Sequence, residues 1–426
     1  MTRAGASTRR DHWLQAAAFA SLWLFVFTIP WDDSVLLPGI GTASKFMGLL
    51  AFAVGAASIF RRDGVALRRP AAFLLPFALL CVWTVLSVQW APERGEGLDY
   101  AATLVQLFLM AWLVWQLCRG TSDRAKLMQA YVLGCFVSVG STIAQYLSGN
   151  AFAGSAQERF AAAGFNPNYM ASTLALGIPI AWHLVLGGRT RALSLLNFLA
   201  IPAVIVAIFL TGSRGGLITA VLALSVIPLT YAKLSPRVQV TVVVGLVLVG
   251  LAAYWLAPAF EQNLPTGIER FSEIPEQLQS GDLTGRGRIW IAGIELFRDH
   301  PIVGVGAGGF AEAVRPYLGE ARTSHNAFLN VAAQTGVIGL VLFLATLLIV
   351  GLPFALSLAG DRIVYLVVLG TVAMILMPST LENGKQVWFV LALAASRSAF
   401  VLGREVVPSR PLWAYAPATP SERTVE

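Results

Sequence analysis

The sequence predicts an all-α protein that crosses a membrane many times. Three observations predict it. Hydrophobic residues make up 56% of the 426 and charged residues only 12%, about half the charged share of a soluble domain. Mean hydropathy is +0.69. Apolar runs of roughly 20 residues, long enough to cross a hydrocarbon core as helix, recur along the chain. A net charge of +7 would point to nucleic acid in a soluble protein. Here basic cytoplasmic loops account for it, so membrane lipids are expected as partners and nucleic acid is not.

About twelve spans can be laid down: 14–30, 44–60, 71–89, 98–118, 126–147, 169–186, 193–211, 216–233, 238–257, 326–350, 362–380 and 384–402. The first follows Arg9 and Arg10 and looks like a signal peptide. No small-x-small cleavage site follows it; Trp31-Asp32-Asp33 comes next, so it is read as a retained first helix. The loops then alternate in charge. Arg3, Arg9 and Arg10 lie before the first span, and Arg61, Arg62, Arg68 and Arg69 lie between the second and third. Arg119, Arg124 and Lys126, then Arg189 and Arg191, then Lys233 and Arg237 occupy later loops of the same parity. Arg362, and beyond the last span Arg404 and Arg410, continue the series. Loops of the other parity carry Asp32 and Asp33, then Glu93, Glu96 and Asp99 against Arg94. The positive-inside rule puts both termini in the cytoplasm. The chain divides into spans one to nine over residues 1–257, one large outer loop over 258–324, and the last three spans with a cytoplasmic tail over 325–426.

The outer loop is too long for a simple turn, and loops of that size tend to be functional. The spacing predicts an amphipathic helix from Arg288 to Arg298, with Ile289, Trp290, Ile294 and Phe297 on one face. A second short helix is expected from Phe310 to Leu318. Between them, Gly304-Val305-Gly306-Ala307-Gly308-Gly309 has no preceding strand, so it reads as a tight turn and not as a dinucleotide fingerprint. Cys81, Cys118 and Cys135 lie in or at the ends of spans, which argues against a disulfide framework or a Cys-rich metal site. His12, His183, His300 and His325 show no metal-ligand spacing.

A few outer-side polar residues are not explained by topology: Arg159, Arg214, Arg286 and Arg288, with Asn168 and His325. Asn166-Pro167 is read as an ordinary helix start, N-cap then N1. Asn168 follows, where its amide could face a polar cavity. Thr211-Gly212-Ser213-Arg214-Gly215-Gly216 joins two spans with almost no loop and holds Arg214 at the hydrocarbon boundary. A snorkelling arginine is the bland reading. A guanidinium at a glycine-rich helix start, where an anion would bind, is the sharper one. Arg286 and Arg288 repeat that chemistry at the amphipathic helix, with a solvated loop as the bland alternative. Ser324-His325-Asn326 opens the tenth span, where the helix dipole disfavours an imidazolium and a neutral imidazole could act as general base. Even-numbered spans all begin on the outer face, so these residues converge there. Charges are absent from mid-span, and no repeat relates residues 1–210 to 211–426. Both facts weigh against a transporter or flippase.

The motifs Gly164-Phe165-Asn166-Pro167-Asn168-Tyr169, Thr211-Gly212-Ser213-Arg214-Gly215-Gly216, Thr284-Gly285-Arg286 with Trp290, His300-Pro301 with Gly304-Val305-Gly306, and Ser324-His325-Asn326 with Gly336-Val337-Ile338-Gly339 together resemble the O-antigen ligase and polymerase superfamily. The likeness covers about residues 155–350. It implies a GT-C-like bacterial inner-membrane glycosyltransferase with its site on the periplasmic face. The donor it implies is a glycan on undecaprenyl diphosphate. Length, span count and the single large loop look most like the ligase, which uses a lipid A–core acceptor. Polymerases, protein O-oligosaccharyltransferases and, from another class, a lipid-linked-sugar flippase are the alternatives. The resemblance implies catalytic roles for Arg214, Arg286 and His325, and substrate contacts from Arg159, Asn168, Arg288 and Asn326. No cofactor is expected, and no metal, because arginines would stabilise the leaving diphosphate. Many members carry a second histidine two residues before the His-Asn pair; Thr323 stands there in this chain.

Overall fold

The computed structural model describes residues 4–39, 41–60, 67–153, 158–188, 190–232 and 286–397, with short pieces between 234 and 247 and between 400 and 405. It is helical throughout, apart from two hairpins of two-residue strands. The helices are α1 (Ala4–Thr28), α2 (Ala43–Phe60), α3 (Leu74–Ser87), α4 (Arg94–Leu117), α5 (Thr121–Leu147), α6 (Pro167–Gly187), α7 (Arg191–Thr211), α8 (Arg214–Leu224) and α9 (Val226–Tyr231). After residue 285 come α10 (Arg286–Asp299), α11 (Phe310–Ala313), α12 (Arg315–Leu318), α13 (Ala327–Leu356), α14 (Arg362–Leu376) and α15 (Lys385–Arg397).

Eight helical segments among the described residues are long and apolar enough to cross a membrane, and the chain is a polytopic membrane protein. The expected count of twelve is not shown. Three of the expected spans form helices of only 14, 15 and 13 residues. The ninth falls largely outside the described residues, as do residues 258–285 of the outer loop, including Thr284 and Gly285. The chain leading into the third is held extended by α4. Residues 67–70 stay non-helical because side chains of α4 satisfy their backbone: Gln116 accepts from the Arg68 N–H at 2.8 Å and donates to its carbonyl at 2.9 Å, and Trp115 donates to the Arg69 carbonyl at 2.9 Å. At the end of α14, Pro378 follows within two residues, and proline cannot continue the ladder.

The core is organised around α6, 83% of whose best span window is buried. It packs against α5, α7, α8 and α14. Its start follows from the sequence: Asn166 caps it by accepting from the Asn168 N–H at 2.9 Å, with Pro167 at N1. The next chain reversal works alike. Thr211 ends α7, Gly212 is left-handed at φ +56, and Ser213 caps α8 by accepting from Gly216 N–H at 3.2 Å. A Cβ on Gly216 would sit 2.3 Å from the Ala171 Cβ, so glycine there lets α8 lie directly on α6.

At the same end of the bundle, Lys385 opens α15 and bridges to Asp32, after α1, and to Ser44 Oγ of α2 at 2.7 Å. This cation is thereby committed to holding the first two spans against the last. Deeper down, Phe77 and Trp388 stack at 3.7 Å and fix α3 against α15.

Candidate functional site

The starts of α6, α8, α10 and α13 gather at one end of the bundle, with the 377–384 turn among them. Three contacts and two electrostatic neighbourings establish this. Pro378 lies 3.4 Å from where a Gly215 Cβ would be, and Ala171 abuts Gly216. Tyr169 on α6 shares a 2.8 Å hydrogen bond with Thr380. Tyr169 and Arg286 lie within electrostatic reach of one another, as do Arg286 and His325. Arg286 thus lies within electrostatic reach of His325, and the helix start that carries Arg214 packs against α6 and Pro378.

The residues differ in how they are held. Arg159 is 7% exposed; its Nε donates to the Thr211 carbonyl and its NH2 to Asn168 Oδ1, both at 2.7 Å. It therefore ties the end of α7 to the start of α6, and it occupies the Asn168 side-chain oxygen. Arg214 is half-buried at the first position of α8. Arg286 is half-buried at the start of α10, and among the described residues it has no hydrogen-bond or ion-pair partner. Burial lowers its pKa below the ordinary guanidinium value. Arg288 is exposed.

His325 is half-buried and adopts φ +46, the one non-glycine residue with positive φ among those described. A left-handed side-chain-bearing residue costs energy that its surroundings must repay. The repayment is local: Asn326 caps α13 by accepting from Leu329 N–H at 3.0 Å, Ser324 Oγ donates to the Asn326 carbonyl at 3.0 Å, and Trp290 of α10 donates to the Ser324 carbonyl at 3.0 Å. Nε2 of His325 lies 3.0 Å from Thr323 Oγ1. Burial, then Arg286 and Arg322, push the imidazole pKa down to about 4. It is neutral at physiological pH. Thr323 thus contacts the ring.

Two expectations about the loop need correcting. The helix expected over 288–298 runs from Arg286 to Asp299, and its packed face is Ile289, Ala292, Gly293 and Leu296, while Ile294 is 44% exposed. Bulk misled the assignment. The small residues face the protein because α13 approaches closely: a Cβ on Gly293 would lie 2.8 Å from Leu329. The second helix, expected unbroken over 310–318, is broken at Val314. The glycine run is the expected tight turn, but it closes on protein backbone. Gly336 breaks α13 at φ +67, where a Cβ would meet the Ile302 carbonyl oxygen at 2.0 Å. In that notch Val305 and Gly306 donate to the carbonyls of Ala333 and Gln334, each at 2.9 Å, and Val337 donates to Pro301 at 2.8 Å. The His300-Pro301, Gly304-Val305-Gly306 and Gly336 motifs are one interlock that seats the loop on α13.

Sequence reasoning missed Glu382 in this region, and it gave no role to Tyr169, which it quoted only as the end of the Gly164–Tyr169 motif. Glu382, in the turn before α15, is 2% exposed, and burial raises its pKa to about 7.

A comparison with proteins of curated function finds none that matches. Residues 198–344, from within α7 to the middle of α13, match the family model described as O-Antigen ligase. The match encloses Arg214, Arg286, Arg288, His325 and Asn326 and leaves out Arg159 and Asn168. The chain therefore carries, over residues 198–344, a domain of the O-antigen ligase and polymerase family of glycan-transferring membrane enzymes.

Proposed function

We propose that the protein is an O-antigen ligase: an inverting, metal-independent glycosyltransferase at the periplasmic face of a bacterial inner membrane. It moves a glycan from undecaprenyl diphosphate to a sugar hydroxyl of lipid A–core. The observation that carries this reading is a half-buried guanidinium, Arg286, with no hydrogen-bond or ion-pair partner among the described residues, within electrostatic reach of a neutral imidazole, His325, at neighbouring helix starts. A cation without a counter-ion in a partly desolvated site favours an anionic ligand. Helix N-termini add positive potential in the same direction. The alternation of basic loops supports the assignment of this end to the outer face.

In this mechanism Arg286 and Arg214 hold the donor's diphosphate, with Arg288 at the rim. Arg159 sets Asn168 and the start of α6 beside them. The acceptor hydroxyl oxygen attacks the sugar C1 from the face opposite the diphosphate, and the C1–O bond breaks with its electron pair passing to the leaving diphosphate. The hydroxyl proton passes to His325. The tautomer in which Nε2–H donates to Thr323 Oγ1 leaves the lone pair on Nδ1, and it is the one this role requires. A base with a pKa near 4 is weak in the resting site. The bound diphosphate offsets the field of Arg286 and strengthens it when the acceptor attacks.

The test is transfer from undecaprenyl-diphosphate-linked glycan to purified lipid A–core by the reconstituted protein, with EDTA present. Transfer with inversion at C1 is expected, and Arg214→Ala should abolish it while membrane insertion persists. Near-normal transfer by Arg214→Ala, or retention at C1, would overturn the reading. Elongation of glycan on undecaprenyl diphosphate would reassign the protein as a polymerase, and transfer to a peptide as a protein glycosyltransferase.

A further inference from the structure

The surface of α13 changes character at Gly336. Residues 327–335 are buried or half-buried, with α3 and α10 packed against the helix. From Val337 onward an apolar row lies bare: Val337, Val341, Leu344, Leu348 and Leu352, at the four-and-three spacing of one helix face. Residues 337–356 reach about 30 Å at 1.5 Å per residue, the thickness of a hydrocarbon core. That part of α13 is long enough to cross alone, and its bare row is the face it turns to lipid. On α3 a matching exposed row of Leu75, Leu79, Val82 and Leu86 leads up to Trp90. Trp83 and Trp90 lie 5.8 Å apart, and Trp83 donates to the Thr335 carbonyl at 2.8 Å, beside the break in α13. Paired tryptophans at the end of two apolar rows mark a membrane–water interface.

The turn that follows α10 meets α13 at this level. Gly336 abuts the Ile302 carbonyl, and Val337 N–H donates to the Pro301 carbonyl at 2.8 Å. The Ile302 and Val303 side chains are nevertheless 62% and 40% exposed, beside Val337 at 42%. From Pro301 to Ala311 the chain carries no charged residue, although Arg298 and Asp299 come just before. The backbone of the turn is tied back as well. Pro301 has no N–H to satisfy, and Gly304 N–H donates to the His300 carbonyl at 3.1 Å. Two branched apolar side chains held out from such a turn suit hydrocarbon, where unmet backbone groups are penalised.

We infer that the 300–303 turn is a membrane-seated tip: Ile302 and Val303 enter the acyl-chain region of the leaflet at the site end of the bundle and extend the lipid-facing row of α13. The partner is bilayer lipid, because the two side chains continue a face that already belongs to a membrane span. The tip joins α10, which begins at Arg286, to the interlock on α13, so its seat in lipid fixes the foot of α10. Arg298 and Asp299 then fall at headgroup depth, where Asp299 accepts from the Tyr317 hydroxyl. This surface is the same whichever glycan or acceptor the site uses.

The experiment uses the full-length protein in nanodiscs of phosphatidylethanolamine and phosphatidylglycerol. Wild type is irradiated with a phospholipid that carries a diazirine on a shallow acyl carbon, and the crosslinked peptides are identified. Crosslinks at Ile302 or Val303 are expected alongside those at Val337 and Val341. Crosslinks on α13 with none at 300–303 would overturn the inference. Single cysteines then report the environment of the turn, the three native cysteines being buried. A membrane-impermeant maleimide should label Ile302→Cys and Val303→Cys roughly tenfold more slowly than Glu320→Cys, since apolar surroundings raise a thiol pKa and one unit is tenfold in thiolate. Equal rates would place the turn in water and overturn the inference. Slow labelling without lipid crosslinks would mean that protein covers the turn, a second copy or another part of the chain, and overturns it equally.

Discussion

The two ends of the helix bundle use the same side chain in opposite ways. At one end, arginines are consumed by structure. Arg397 holds Asp361 through two bonds of 2.7 and 3.0 Å, both partners being about 5% exposed. Arg124 donates to the Ser396 carbonyl at 3.1 Å. Arg68 lies 3.5 Å over the Trp115 ring and donates to the carbonyls of Trp115 and Cys118 at 3.2 and 3.1 Å. At the other end Arg159 behaves likewise, but Arg286 does not. Arg286 is half-buried, its charge is penalised by desolvation, and among the described residues no hydrogen bond or ion pair offsets that penalty. Folding alone does not favour that arrangement. The difference teaches which cation to look at: the one that stability would discard.

The sharpest way to break this contrast is to remove one arginine from each end. Arg286→Ala should lower glycan transfer by about 10²–10³, the usual loss of one oxyanion-type donor, while the melting temperature in detergent stays equal or rises. Arg397→Ala should do the reverse. It leaves Asp361 buried without its cation, at a cost of about 3–5 kcal/mol, and should appear as poor insertion and early melting. An Arg286→Ala protein that melts early with normal transfer would erase the distinction. A smaller effect tests the interlock that seats the loop. Gly336→Ala forces a Cβ against the Ile302 carbonyl at φ +67. Backbone strain of about 1–3 kcal/mol should expose the 300–306 loop to protease before the bundle itself melts.

Much of this was legible in the sequence, and the rest shows what sequence hides. Hydropathy located the apolar spans, and the Asn166-Pro167 helix start needed only local capping chemistry. Arg214, Arg286 and His325 could be picked out because they stood at helix starts on the side where the positive-inside rule expects few cations. Arg159 looked the same by that criterion; its two 2.7 Å bonds to Thr211 and Asn168 depend on a fold that brings α6 and α7 together. The packed face of α10 was hidden because Ala292 and Gly293 carry no hydrophobic signal, and their smallness is what the contact with Leu329 requires. Glu382 was invisible for the opposite reason. A lone carboxylate between two apolar segments reads as loop charge until α3, α4, α13 and α15 close over it.

The smallest predicted effect separates the two titrating groups. The His325 imidazole is disfavoured as a cation by burial and by Arg286 and Arg322, with a pKa of about 4. A group lowered in this way serves as base above its pKa and fails below it. In kcat/KM, which reports the free enzyme, His325 should therefore contribute no slope between about pH 6 and pH 8 and an acid limb only near pH 4 to 5. Glu382 is shifted the other way: burial raises its carboxyl to about 7. Replacing Arg322 with Gln removes one of the cations that depress His325 and should move the acid limb upward by a few tenths of a pH unit, leaving the neutral-pH slope untouched. Arg322 is exposed and paired with Glu320 at 2.8 Å, so the shift must be small. An acid limb that stays in place, or a neutral slope that changes with Arg322→Gln, would assign the titrations to other groups.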